Sequence, residues 1–288
     1  LFAFEEGMFE RDIDRLERFY TKLCIFIGAG ALTGCTIEKK NYNEAIKELS
    51  GIKESSKIKP VKNALDNVSD RDFIIEFLSI ISIIQMHLSR LSEDFILYST
   101  KEFDFIELPE EFCTGSSLMP HKKNPDFLEL VRGNTGKIYG NLMSVLTTMK
   151  GLPLTYNRDM QLDKEPLFSS VETILDELKI MSKFLKKIEL HDTRIDNILT
   201  QDISLYATEI AQYLVEKKGL PFKKAHDITG KFIILLERNR GKTNEIDDRE
   251  LKKTCAGLTK AEIVKVVNPE YALSLRKDYT KNFLKRKK

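Results

Sequence analysis

The chain of 288 residues has no tryptophan, eight prolines, four cysteines and almost no excess of charge, with 46 basic against 44 acidic residues. Each shortage excludes something. Balanced charge gives no overall field for nucleic acid or a membrane surface, and the run Lys285, Arg286, Lys287, Lys288 reads as a solvated tail. Cys24, Cys35, Cys113 and Cys255 are scattered, with no CxxC pair and no metal-ligand spacing. They read as reduced thiols in a cytoplasmic protein. The opening segment carries Glu5, Glu6, Glu10 and Arg11, so it does not read as a secretory signal. Residue 1 is Leu, which points to a fragment, a processed chain or an incomplete sequence.

Alternating strand patterns, repeats and low-complexity tracts are also lacking, and what remains is helical periodicity. Phe9, Ile13, Leu16, Tyr20 and Leu23 form one stripe, expected to face a core. A long helix is expected from about Asp72 to Tyr98, opened by a capping box of Ser69 and Asp72. Its first half is apolar nearly all round, but Glu76, Gln85 and His87 interrupt it, which favours a buried bundle helix over a membrane span. His87 there reads as a hydrogen-bonded structural histidine. A further helix should start with Asn124 as cap and Pro125 at its first position, and Gly133, Gly136 and Gly140 on one face of it suggest a close helix crossing. Another is expected over about Ser170–Ile188, capped through Ser169 and Glu172. Beyond it, Ile203–Lys218, a stop at Gly219 and a restart at Pro221 give a helical hairpin through Ile233, and the 241–248 segment reads as a loop. The predicted class is all-α: an elongated central helical bundle over 1–191 with a smaller C-terminal helical domain over 192–288.

Chemistry concentrates in the 115–126 segment, GSSLMPHKKNPD. Gly115 frees the backbone, Ser116 and Ser117 supply hydroxyls, Lys122 and Lys123 supply charge, and Asn124 can hold a carboxylate oxygen. A helix N-terminus just beyond adds a further preference for anions. The same composition would also suit a solvated turn.

The order of these residues resembles the GSSxMPxKxNP signature of the fumarase/aspartase superfamily. GAGALTG from Gly28, NVSDRDF from Asn67, HLSRLSEDF from His87, LPLTYNRDMQLDKEPLF from Leu152 and YATEIAQYLVEKKGLPFKKAH from Tyr206 are, more narrowly, similar to argininosuccinate lyases. Adenylosuccinate lyases share the signature loop, which keeps a related succinyl-group lyase of that kind as an alternative, but their other motifs are not recognised in this sequence. The resemblance implies elimination of arginine from argininosuccinate to give fumarate, with no metal or organic cofactor. It makes Ser116 the base, with Ser117 as runner-up, and assigns Lys122 and Asn124 to the substrate carboxylate. Glu129 matches the acid that pairs with a catalytic histidine, and Tyr156, Gln161 and Lys164 match residues that hold the substrate's polar groups. His121 is adjacent to substrate at most. Arg71, with Asp72, either reaches the site or caps the long helix.

The chemistry accounts for these residue types. Removing a proton beside a carboxylate leaves two negative charges on that group, so donors and cations must converge on it. A serine serves as base only where its alkoxide is stabilised. Relatives carry a Ser-Arg-Asn-rich loop and a His-x-Gln motif upstream of anything present here, and His87, His121, His191 and His226 do not replace that histidine by motif. The resemblance further implies a homotetramer whose sites are shared between subunits. Two readings follow from the sequence: a lyase completed by segments outside this chain, or an inactive helical bundle with a structural or interaction role.

Overall fold

Helical periodicity of the apolar residues dominates the computed structural model, which describes residues 2–49, 55–115, 118–119, 122–239 and 241–275. The class is all-α. The chain divides into two units, Leu1–Glu189 and Leu190–Lys288.

The first unit contains α1 (Phe2–Lys22), α2 (Lys39–Glu48), α3 (Ala64–Ser69), α4 (Asp72–Tyr98), α5 (Asp126–Met149) and α6 (Lys164–Phe184). α4 is long and apolar enough to cross a membrane by length and composition. Here α1, α5 and α6 cover part of its apolar surface, while Phe73 and Leu97 stay exposed. Leu78, Leu88, Leu91 and Phe95 are consequently at most 2% exposed, each fully buried side chain contributing roughly 1.5–3 kcal/mol. Phe184 closes one end of this core with edge contacts to Phe95 at 5.4 Å and Phe112 at 5.6 Å. α5 and α6 are antiparallel, because Asn134 Nδ2 donates to Glu177 Oε1 at 2.8 Å while Asn141 Nδ2 donates to Ser170 Oγ at 2.9 Å. α4 runs antiparallel to α5 as well, with Gln85 Nε2 donating to the Val131 carbonyl and Ile74 and Leu78 packed on Val145.

The helix ends depart from the sequence reading. α4 spans the expected residues, but Ser69 ends α3 and bonds back to the Leu65 and Asp66 carbonyls, while Asp70 Oδ1 accepts from the Asp72 N–H at 2.7 Å. An Asx-type turn replaces the expected capping box. Asn124 does not cap α5: it lies in a short strand, and Pro125 is the N-cap. α6 starts at Lys164, six residues before the expected Ser170, continuing a 3-10 turn over Arg158–Asp163. Ser169 therefore lies inside the helix, where its carbonyl accepts from Thr173 Oγ1 at 2.7 Å. A Cβ added to Gly133, Gly136 or Gly140 would meet nothing within 4 Å, so within this chain no close helix crossing explains them. In α1, Ile13 and Tyr20 are 57% and 49% exposed instead of buried. The helix turns Asp12 toward α4, where it bonds His87 Nδ1 at 2.6 Å and Arg15 at 2.7 Å. The buried Asp12–His87 hydrogen bond fixes the orientation that an apolar count misassigns.

The second unit contains α7 (Asp192–Gln201), α8 (Ala207–Lys218), α9 (Phe222–Arg238), α10 (Asp248–Thr254), α11 (Lys260–Val266) and α12 (Pro269–Leu275). Ile203–Tyr206, expected as helix, forms a 3-10 turn before α8. Gly219 caps α8 in the left-handed region at φ 65°, as its place before Pro221 predicts. α9 runs past Ile233 to Arg238, and the 241–248 segment includes a 3-10 turn over Thr243–Glu245. Ile210, Leu214, Ala225, Phe232 and Val266 form a core without solvent exposure.

Thr259 and Glu262 form a capping box at α11, and Glu262 Oε1 also receives Lys218 Nζ from α8 at 2.5 Å. Lys218, followed by the Thr259 hydroxyl and N–H, holds the Glu262 carboxyl down to about 2. A depressed carboxyl stabilises the fold above its unfolded value and loses that contribution as pH falls through the folded one. Glu262→Gln is therefore expected to lower the Tm at neutral pH, with the difference from wild type vanishing as pH falls from 4.5 toward 2. Thermal unfolding followed by circular dichroism across that range checks it.

Candidate active site

Two short strands carry the arms of the signature loop. Thr114–Gly115 pairs antiparallel with Lys123–Asn124, Thr114 opposite Asn124 and Gly115 opposite Lys123. Thr114 Oγ1 donates to Asp126 in the first turn of α5, so both arms are tied to the start of that helix. Lys123 is bound to Glu107 and, at 3.5 Å, to Glu110. Glu107, more than any other group, keeps the Lys123 ammonium above the usual lysine range, and its charge is spent within the protein. Lys122 is exposed, and its N–H donates to the Met119 carbonyl at 3.0 Å. Asn124 is half-buried, and Glu129 is exposed on the first turn of α5. Ser116, Ser117 and His121 lie outside the described residues.

Two of the second group of expected site residues, Arg71 and Lys164, meet at one carboxylate. Asp163, only 3% exposed, accepts from Arg71 Nε at 2.5 Å and from Lys164 Nζ at 2.5 Å. Arg71 also donates from Nη1 to the Asp70 carbonyl. It is the N-cap of α4 with no side-chain capping bond, so its guanidinium is directed to this cluster and not to the helix end. Gln161 Nε2 donates to the Tyr156 hydroxyl at 2.6 Å, with Tyr156 itself 43% exposed. Beside Tyr156 the backbone of Thr155 has φ 140°, an outlier for a β-branched residue, which holds this turn in a sparsely populated conformation. An apolar cavity of about 1010 Å³ adjoins Arg71, walled by Leu16, Phe19, Phe73, Phe77 and Phe168.

These two groups do not meet in one chain. The signature arms stand at the Asp126 end of α5. Leu167, three residues beyond Lys164, packs with Met149 and Val145 at the other end. A helix of 24 residues at about 1.5 Å per residue separates them by about 36 Å. Lys122, Asn124 and Glu129 thus share one end, and Arg71, Tyr156, Gln161 and Lys164 share the other.

A family model for lyases matches residues 2–140, and a model described as argininosuccinate lyase C-terminal matches residues 204–274. The argininosuccinate lyase of Clostridium kluyveri is 49% identical over 250 residues, covering 85% of this chain and 54% of that protein. That of Caldanaerobacter subterraneus is 46% identical over 255 residues, covering 88% and 56%. Over most of its length the chain is similar to these argininosuccinate lyases. It spans about half the length of these curated relatives. Among solved structures, class II fumarase from Schistosoma mansoni aligns with TM-score 0.77 at 18% identity, over 93% of this chain and 56% of that one. A fumarate lyase:delta crystallin from Brucella melitensis aligns with TM-score 0.72 at 23% identity, over 92% and 55%. These two likenesses establish the fold alone.

Within the argininosuccinate lyase motif YNRDMQLDK, the residue missed by sequence reasoning is Asp163. Its signal was an acid directly before a lysine, which is common on surfaces; burial and pairing with Arg71, 92 positions away, make it distinctive. Asp163→Ala would leave the 14%-exposed Arg71 side chain without its counter-ion. Loss of about 3–5 kcal/mol is expected, the usual result of breaking a buried pair from one side, and denaturant unfolding measures it.

Proposed function

We propose that this chain belongs to a cytoplasmic lyase that eliminates arginine from argininosuccinate, releasing fumarate without a metal or organic cofactor. Similarity to argininosuccinate lyases over most of the chain supports this reading, and the observation that carries it is the retention of both polar groups at opposite ends of α5. Ser116 removes the proton beside the substrate carboxylate, with Ser117 the second choice. Lys122 and Asn124 stabilise the two charges that develop there. Engagement of Lys123 by Glu107 supports Lys122 as the available cation. Glu129 orients a histidine supplied by segments outside this chain. Tyr156, Gln161, Lys164 and Arg71 hold the amino-acid and guanidinium end, where paired hydrogen-bond donors and acceptors discriminate strongly against a leaving group that lacks the matching ones.

The separation of about 36 Å along α5 is far longer than the substrate, so the site is completed by juxtaposing ends from different copies. A homotetramer does this. Exposed apolar side chains support such an assembly: Leu130 at 66% and Met143 at 61% lie on α5, and Phe168 on α6 is 59% exposed. The glycines that cross nothing within one chain suit close approach of another helix. The other reading, an inactive structural bundle, draws on the upstream catalytic segments that this chain does not contain.

Light scattering at micromolar concentration is expected to give a tetramer's mass or aggregation, and a stable folded monomer would contradict the assembly. Once the chain is extended with the family's upstream segments, a fumarate-release assay should show cleavage of argininosuccinate and essentially none of adenylosuccinate. Ser116→Ala should lower turnover by about 10²–10⁴-fold, the scale of a positioned general base, and Ser117→Ala by less. Unchanged turnover in a folded Ser116→Ala variant would remove it from that role. Gln161→Ala or Lys164→Ala should weaken productive argininosuccinate binding. The chain without those segments should release no fumarate.

A further inference from the structure

Asp163 and Lys164 break two rules of helix construction at the same place. Aspartate at an N-cap ordinarily accepts from the first N–H groups of its helix, yet Asp163 caps α6 with no side-chain bond to that helix. Lysine in a first turn opposes the helix dipole, yet Lys164 opens α6. Consecutive residues inside a helix do not face each other, and these two meet because Asp163 stands just outside α6. Helix stability therefore does not explain the arrangement.

Charge and access explain it. Both oxygens of Asp163 are taken by cations: Oδ2 accepts from Arg71 Nε and Oδ1 from Lys164 Nζ, each at 2.5 Å. The two cations differ in exposure. The Arg71 side chain is 14% exposed and that of Lys164 50%, while the carboxylate between them is 3% exposed. Arg71 offsets the buried charge of Asp163, so Lys164 is anchored while the three groups together still carry one net positive charge. An ammonium has three donors, and the bond to Asp163 uses one of them.

We infer that Asp163 is a positioning residue: it holds the Lys164 ammonium in place before substrate arrives, with Arg71 as its counter-ion. The inference rests on the proposed assignment of Lys164 to the polar groups of the substrate. Lysine carries its charge on a flexible four-carbon stem, and fixing that stem costs rotamer freedom. A carboxylate that fixes it during folding removes this cost from the binding step, so the contact is preorganised. Asp163 reaches the substrate only through Lys164.

Asp163→Asn tests this in protein extended with the relatives' upstream segments, because an amide offers one oxygen and one NH₂ group and so turns a donor toward one of the two cations. The variant should lose about 10²-fold in kcat/KM for argininosuccinate, chiefly through KM, the scale of a small misplacement of a binding group. The same substitution in a Lys164→Ala background should cost almost nothing further, since the group it positions is already gone. Equal losses in both backgrounds, with folding verified by circular dichroism, would mean a structural role alone and overturn the inference. A second readout needs neither substrate nor the variant. Brief acetylation followed by peptide mass spectrometry should modify Lys164 several-fold more slowly than the exposed Lys150 of the same protein, because an ammonium held against a carboxylate must give up that bond and a proton to react. Labelling of the two at equal rates overturns the inference, even if Asp163→Asn does not fold or the extended protein releases no fumarate. Absence of fumarate release would count against the proposed reaction alone.

Discussion

The rigid length of α5 governs what one copy of this protein can do. Hydrogen bonding within the helix and burial of Leu128, Val131, Ile138 and Val145 against its neighbours hold 24 residues as a single rod. Everything polar at its start, including the paired arms of the signature loop, is kept away from everything polar at its end, including the Arg71–Asp163–Lys164 cluster. Antiparallel packing with α4 and α6 reinforces this separation by bringing the start of each of those helices to the far end of α5. A flexible connection would allow the two groups to meet in one chain; a packed helix does not.

Legibility in the sequence followed the same physics. The limits of α4 could be read directly, because helical spacing of its apolar residues continues from just after Asp72 to Tyr98. Gly219 was legible as a stop for a similar reason: only its left-handed conformation lets the chain turn before Pro221. Caps were less legible. Ser69, Asp70, Asp72 and Asn124 are all competent capping residues, and the choice among them depends on where tertiary contacts stop each helix. Ile13 was misassigned because apolar spacing in α1 competes with the Asp12–His87 pair, whose partners are 75 positions apart.

The candidate site was legible as a set of residues and illegible as a geometry. Motif order located Lys122, Asn124, Glu129, Tyr156, Gln161, Lys164 and Arg71, but spacing along the chain does not reveal that they stand at two ends of a helix. It also hid Asp163, whose role as the shared partner of Arg71 and Lys164 depends on the approach of α4 to the turn before α6. Lys122 and Lys123 were equivalent in composition; the strand register and Glu107 separate them. Ser116, Ser117 and His121 fall outside the described residues, so their assignment rests on the motif.

The central claim is that catalysis requires ends of α5 from different copies. Subunit mixing tests it most directly, in protein extended to the family's full length. One preparation carries Ser116→Ala, removing the start-side base, and the other carries Lys164→Ala, removing an end-side contact. They are unfolded, mixed and refolded together, and mixed assemblies are verified by mass. The account predicts that the mixture releases fumarate faster than either parent refolded alone, because some sites draw both intact ends from different copies. Mixed assemblies no more active than their parents would contradict it.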